Sequence, residues 1–179
     1  MNLKERFPPR NQIVLVFASI AFPLYSWTTY WVLDYLPSWL KSMTIWETIP
    51  INAYAYTWVL LESLVVLFLI LILAIFMPAK WFRGNFVSKG SVTAWLIYAF
   101  SFVTQLKNTN KYDFMVEMRP EVMLLASIVI FFLLISKFHR FHNALVSVAD
   151  RLIVFLYFYI PISVISVIIV LYNNIKPTS

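Results

Sequence analysis

The sequence predicts an all-α fold, a polytopic integral membrane bundle of five transmembrane helices. Three observations predict it. The chain is 61% apolar and only 12% charged, about half the charged share of an ordinary soluble domain. A soluble protein of that balance would expose large apolar patches and aggregate, and a lipid solvent removes the conflict. The apolar residues gather in long runs, and the Lys and Arg residues fall in the short segments between them, the pattern that orients membrane helices.

The single domain spans residues 1–179, with membrane segments at about 12–36, 54–77, 88–106, 121–138 and 151–173. The first follows Lys4, Arg6 and Arg10, a flank that also begins a secretory signal peptide. Its apolar run continues well past the cleavage-like Ser19 and Ala21, so it reads as a retained helix. It contains Pro23 and the polar-aromatic stretch from Tyr25 to Trp31. A short interfacial helix near 38–48 is expected next. Trp39 and Trp46 lie there among Lys41, Glu47 and two prolines, spaced to share one helical face.

The second segment is the clearest. Residues 54–77 carry one charge, Glu62, and cover about 36 Å as a helix, enough for the hydrocarbon core. The connector 79–90 is basic and aromatic and holds both glycines, Gly84 and Gly90. The third segment is the weak one. Its apolar core, 91–106, gives only about 24 Å of helix, and the bundle has four spans if it does not cross. A polar loop, Lys107 to Glu121, precedes the fourth segment, and Pro161 sits within the fifth.

Charge sets the orientation. Five spans with the N-terminus inside place Lys4, Arg6, Arg10, Lys80, Arg83, Lys89, Lys137, Arg140 and Arg151 on the inner side. Lys41, Lys107, Lys111, Arg119 and Lys176 fall outside, nine against five. Four spans give ten against four and, of the two termini, move only the C-terminus. Both versions leave the N-terminus cytoplasmic, in a bacterial-type plasma membrane. Trp27, Trp31, Trp39, Trp46 and Trp58 cluster near the outer ends of the first two helices, and Trp81 near the inner surface, as interfacial belts do.

Composition also excludes chemistry. Without cysteine there is no disulfide, thiolate metal site or cysteine nucleophile. Two glycines cannot build a glycine-rich phosphate loop. The net charge of +6 is scattered through short loops, so nucleic acid is not an expected partner. No cofactor, catalytic residue or metal site is expected, and the reading leans away from an enzyme. The expected partners are the lipid bilayer and either other proteins or further copies of the chain.

Glu62 is the sharpest feature. A carboxylate in hydrocarbon is costly, so it is protonated, paired or turned toward water. Counted from Tyr54, it lies about 12 Å below the outer surface. The candidate polar pocket joins Glu62 to Asp34, Tyr30, Thr29, Ser63, Thr104 and Gln105. The competing reading is a neutral Glu62 bonded to a Tyr or Thr to fix helix register. A second group, Lys80, Arg83, Lys89, Lys137, His139, Arg140 and His142, is expected to meet lipid headgroups. His139 and His142 share a helix face, but the surrounding bases repel a metal cation. With no GxxxG motif, close crossings fall to Ala18, Ser19, Ala21, Ala55, Ser63 or Ser127.

These features favour a non-enzymatic subunit, assembly factor or scaffold of a larger membrane complex. The alternative is an oligomeric channel or small transporter built on the Glu62 pocket. A second alternative is a lipid-modifying enzyme using the acidic loop around Asp113, Glu117 and Glu121.

Overall fold

The structure, a computed structural model, describes residues 7–76, 85–109 and 120–175, with the side chains of 102–109, 120–122 and 125 excepted. Five helices account for them: α1 (Arg10–Ser42), α2 (Ile45–Phe76), α3 (Phe86–Thr109), α4 (Pro120–Lys137) and α5 (His139–Ile175). Among the described residues, α1, α2 and α5 are long and apolar enough to cross a membrane. At 1.5 Å per residue their 33, 32 and 37 residues run about 50, 48 and 56 Å, well beyond the hydrocarbon core. These three helices point to a membrane location.

The expected interfacial helix near 38–48 does not exist as a separate element. Helix α1 continues through Pro37 to Ser42, and α2 begins at Ile45 after an extended Met43. The reversal is fixed by a cap in which Thr44 is the donor twice. The Thr44 backbone N–H and hydroxyl both donate to Glu47 Oε2, at 2.7 and 2.9 Å. These bonds hold the Glu47 carboxyl below its ordinary range. Composition resembled a surface helix, but the cap makes this segment the tip of a helical hairpin.

Helix α3 starts five residues ahead of the expected core at Ser91, taking in Lys89 and Gly90. Its 24 residues give about 36 Å, so length is no bar to crossing. Gly90 therefore lies inside a helix and not in a connector. A Cβ there would stand 3.1 and 3.2 Å from the Val16 methyls and 3.4 Å from Ile70 Cγ2, so glycine permits the close approach of α3 to α1 and α2.

Helices α4 and α5 meet at a one-residue corner, Phe138. Its N–H donates to the Leu134 carbonyl at 2.8 Å, and its own carbonyl accepts from Phe141 and His142 at 3.0 and 3.2 Å. The backbone stays paired through the turn.

Helix α1 is central, packing on α2, α3 and α5. Val16 and Ile20 join Ile70, Ala74, Phe86 and Ala94, while Ala18, Ala21 and Tyr25 join Val59 and Leu156. Going up α1 thus means going down α2. Leu156 packs beside Ala18 and Ser163 bonds Tyr25, so α5 runs parallel to α1. Ser91 and Trp95 both reach Ser19, and Tyr98 packs higher up, so α3 follows the same direction. Small buried residues make these crossings, Ala18, Ser19, Ala21 and Ser63 among them. Outward faces carry Phe68, Leu69, Tyr157, Phe158 and Ile168, the reverse of a soluble surface.

Candidate functional site

The site begins with Pro23. A proline inside a helix has no N–H for the carbonyl four residues back, here Ser19. Trp95 of α3 fills that role, its indole Nε1 donating to the Ser19 carbonyl at 2.9 Å. Ser91, one turn before Trp95, donates to the Ser19 hydroxyl at 2.9 Å, and that hydroxyl donates to the Leu15 carbonyl at 3.0 Å. Two side chains of α3 are thereby clamped to one residue of α1.

Above the clamp the helices part around a pocket of about 420 Å³, within the usual range for small-ligand sites. Helix α1 contributes Pro23, Leu24, Trp27 and Thr28. Helix α3 contributes Trp95, Tyr98, Ala99 and Ser101, and α2 contributes Glu62. The Tyr98 hydroxyl is buried and has no hydrogen-bond partner among the described residues. Glu62 lies near enough for its charge to act on Tyr98, and it is exposed at the pocket wall.

Of the residues expected in a polar pocket, Glu62 lines this one. Thr29 faces elsewhere, its hydroxyl 3.1 Å from Tyr56 Oη. Tyr30 is exposed with its ring 5.9 Å from that of Trp27. Asp34 is exposed further along α1. Ser63 is buried and donates to the Val59 carbonyl at 2.7 Å. Thr104 and Gln105 fall on α3 where side chains are outside the description. Of the aromatic members, Trp27 was expected in the interfacial belt, and neither it nor Trp95 and Tyr98 was expected in the pocket. A spacing of three and four residues links Trp95, Tyr98 and Ala99, and Pro23 and Trp27 are four apart, so helical periodicity marks both walls.

A second polar cluster lies at the other end of α3. Ser88 Oγ sits 2.6 Å from His142 Nδ1, joining α3 to α5. Lys89 is buried at 4% exposure, its Nζ 5.3 Å from the Phe132 ring centroid. Burial, then His139, then Lys89 all press the His142 imidazole below its ordinary value. Lys137, His139 and Arg140 are exposed, and Lys80 and Arg83 lie outside the described residues. Among the described residues no three His, Asp or Glu side chains gather to hold a metal ion. Most of the acidic loop around Asp113 and Glu117 also falls outside them.

A third network ties α1, α2 and α5 together. Ser163 donates its only proton to the Tyr159 carbonyl at 2.7 Å, so Tyr25 is the donor in the buried Tyr25–Ser163 bond. The Tyr25 ring stacks on Tyr159 at 4.5 Å and on Tyr56 at 6.2 Å. Each hydroxyl has a partner within the protein, which suits helix register more than ligand binding.

No protein-family model, curated protein or solved structure matches the chain.

Proposed function

We propose that the chain is a non-enzymatic, five-span membrane protein, its N-terminus cytoplasmic in a bacterial-type plasma membrane. Its task is to bind a cation or a lipid headgroup in the outer-half pocket around Glu62. One observation carries this reading: the intramembrane carboxylate lines a pocket that also holds an unpartnered tyrosine hydroxyl. An ionisable side chain at such a depth marks a functional site by default. The alternative, a neutral Glu62 fixing register, loses support because no hydrogen bond joins Glu62 to another described residue. The alternation of helix directions and the length of α3 support five spans over four.

The test is a melting-temperature screen of purified protein against inorganic and organic cations and defined lipids. Stabilisation by at least one ligand, lost in Glu62→Gln, is the expected result. A profile identical in the two proteins sinks the reading.

A second reading, a subunit or scaffold of a larger membrane complex, is favoured by a groove of about 560 Å³ along α1. Trp31 stacks on Tyr35 at 5.0 Å and Tyr35 on Trp39 at 6.0 Å, giving a rigid aromatic ladder with Ala55 beside it. Such ladders suit a partner helix or a second copy of the chain as well as lipid. Mild-detergent purification decides it: a fixed-stoichiometry partner supports the subunit, and a monodisperse monomer removes it.

A further inference from the structure

We infer that the Glu62 pocket selects a quaternary ammonium group, either as the headgroup of a lipid or as a free solute. This rests on the pocket being a cation or headgroup site and goes on to name the cation.

The charge in the lining is negative. Glu62 is ionisable and no lining residue is basic, so an anion gains nothing there. The choice then lies between a metal ion, an ammonium with N–H donors and a fully alkylated ammonium. A hard metal ion wants six or more oxygens. The lining offers the Glu62 carboxylate and three hydroxyls, those of Thr28, Tyr98 and Ser101, spread over three helices and some 420 Å³. A primary ammonium brings three N–H donors, each needing an acceptor once water is gone. It would have to draw them from that carboxylate and those hydroxyls, which stand on three separate helices, and it would leave the apolar and aromatic wall of Pro23, Leu24, Trp27, Trp95 and Ala99 unused.

A quaternary ammonium needs no acceptor. It needs diffuse negative potential and apolar contact, which aromatic rings provide together. Trp27, Trp95 and Tyr98 line the same space as the carboxylate. The Trp95 ring is held in advance by its bond to the Ser19 carbonyl, so little ordering remains for binding to bring about. The Tyr98 hydroxyl is buried and unpartnered among the described residues, so an oxygen attached to a ligand that settles against Tyr98 would give it the acceptor it lacks. Phosphate in a lipid, or carboxylate in a small solute, meets that requirement.

The test uses full-length protein in a maltoside detergent, free of quaternary ammonium. Equilibrium binding is measured for choline and for 3,3-dimethylbutan-1-ol, its neutral carbon isostere. Methylammonium and sodium serve as the other cations. In parallel, protein in mixed nanodiscs is stripped of bulk lipid and the retained lipid identified by mass. Choline should bind at least about tenfold more tightly than the isostere and than methylammonium. Phosphatidylcholine should be retained over phosphatidylethanolamine, which differs only in its methyl groups. With choline preferred as expected, no selective lipid retention assigns a free solute, and retention of phosphatidylcholine over phosphatidylethanolamine assigns a lipid. Glu62→Gln and Tyr98→Leu should each abolish the preference, whereas Tyr98→Phe keeps the ring and should retain it. Equal binding of choline and isostere, or preference for methylammonium or sodium, overturns the inference. If methylammonium or sodium still binds in a Glu62-dependent way, the cation pocket itself survives. If nothing binds to wild type in a Glu62-dependent way, both fall together.

Discussion

The Trp95 indole N–H donates to the Ser19 carbonyl at 2.9 Å, the oxygen that Pro23 leaves without a helical donor. A defect in one helix is thus completed by a side chain of another, and the pocket wall is built from that completion. An unmade bond to a buried carbonyl costs about 1–3 kcal/mol. Trp95→Phe should therefore destabilise the protein by that order in denaturant or thermal unfolding. In a Pro23→Ala background the helix bonds its own Ser19 carbonyl, and the same substitution should cost distinctly less. Equal costs in both backgrounds would show that the bond does not couple the two residues.

Gly90 makes a different kind of fit. Placing alanine in a helix gains about 1 kcal/mol over glycine, whereas overpacking costs about 1–3 kcal/mol. The outcome turns on whether the neighbour can move. Val16 is fully buried and β-branched, so its single favoured rotamer leaves little room to retreat from a Cβ at 3.1 Å. Gly90→Ala should be destabilising by roughly 1 kcal/mol. Combined with Val16→Ala it should become neutral or stabilising. A stabilising single substitution would show that α3 is free to shift.

These two sites mark how far the sequence could be read. The long apolar runs placed α2 and the body of α1 and α5, because hydropathy needs no tertiary information. The hairpin tip was missed, because Lys41, Glu47 and two prolines suggest a break in composition while the Thr44–Glu47 cap acts through geometry. Glu62 was legible as the lone charge of its run. Its aromatic companions were not, because ordinary belt residues and pocket residues are the same amino acids. Only the pairing of α1 with α3 separates Trp27 and Trp95 from Trp46 or Trp58. Thr29 and Ser63 shared the depth of Glu62, but helix rotation points them to Tyr56 and Val59 instead.

The Ser88–His142 contact predicts a pH response. His142, ahead of the segment 151–173 expected to span, is pressed below its ordinary value of 6.5, by burial first and then by His139 and Lys89. Lys137 and Arg140 add positive charge in the adjoining sequence. The folded state therefore prefers the neutral ring, and the unfolded state takes up its proton first. Stability from this site is complete above about 6.5 and declines as pH falls through that value toward the lowered one. The melting temperature of wild type should drop between pH 7.5 and 5.5, and that of His142→Gln should drop less. Parallel profiles would assign the response to other groups.

The absence of cysteine makes the span count directly measurable, since a single introduced thiol has no background. With the N-terminus inside, five crossings put the C-terminus outside, and four return it to the cytoplasm. Asn2→Cys and Ser179→Cys, each expressed alone in intact bacteria, can be probed with a membrane-impermeant maleimide. Five spans require Asn2→Cys to be protected until the cells are opened and Ser179→Cys to react at once. The parallel courses of α1 and α3, tied at Ser19 by Ser91 and Trp95, favour the same result. Protection of both positions would place α3 outside the membrane and, with it, one wall of the Glu62 pocket.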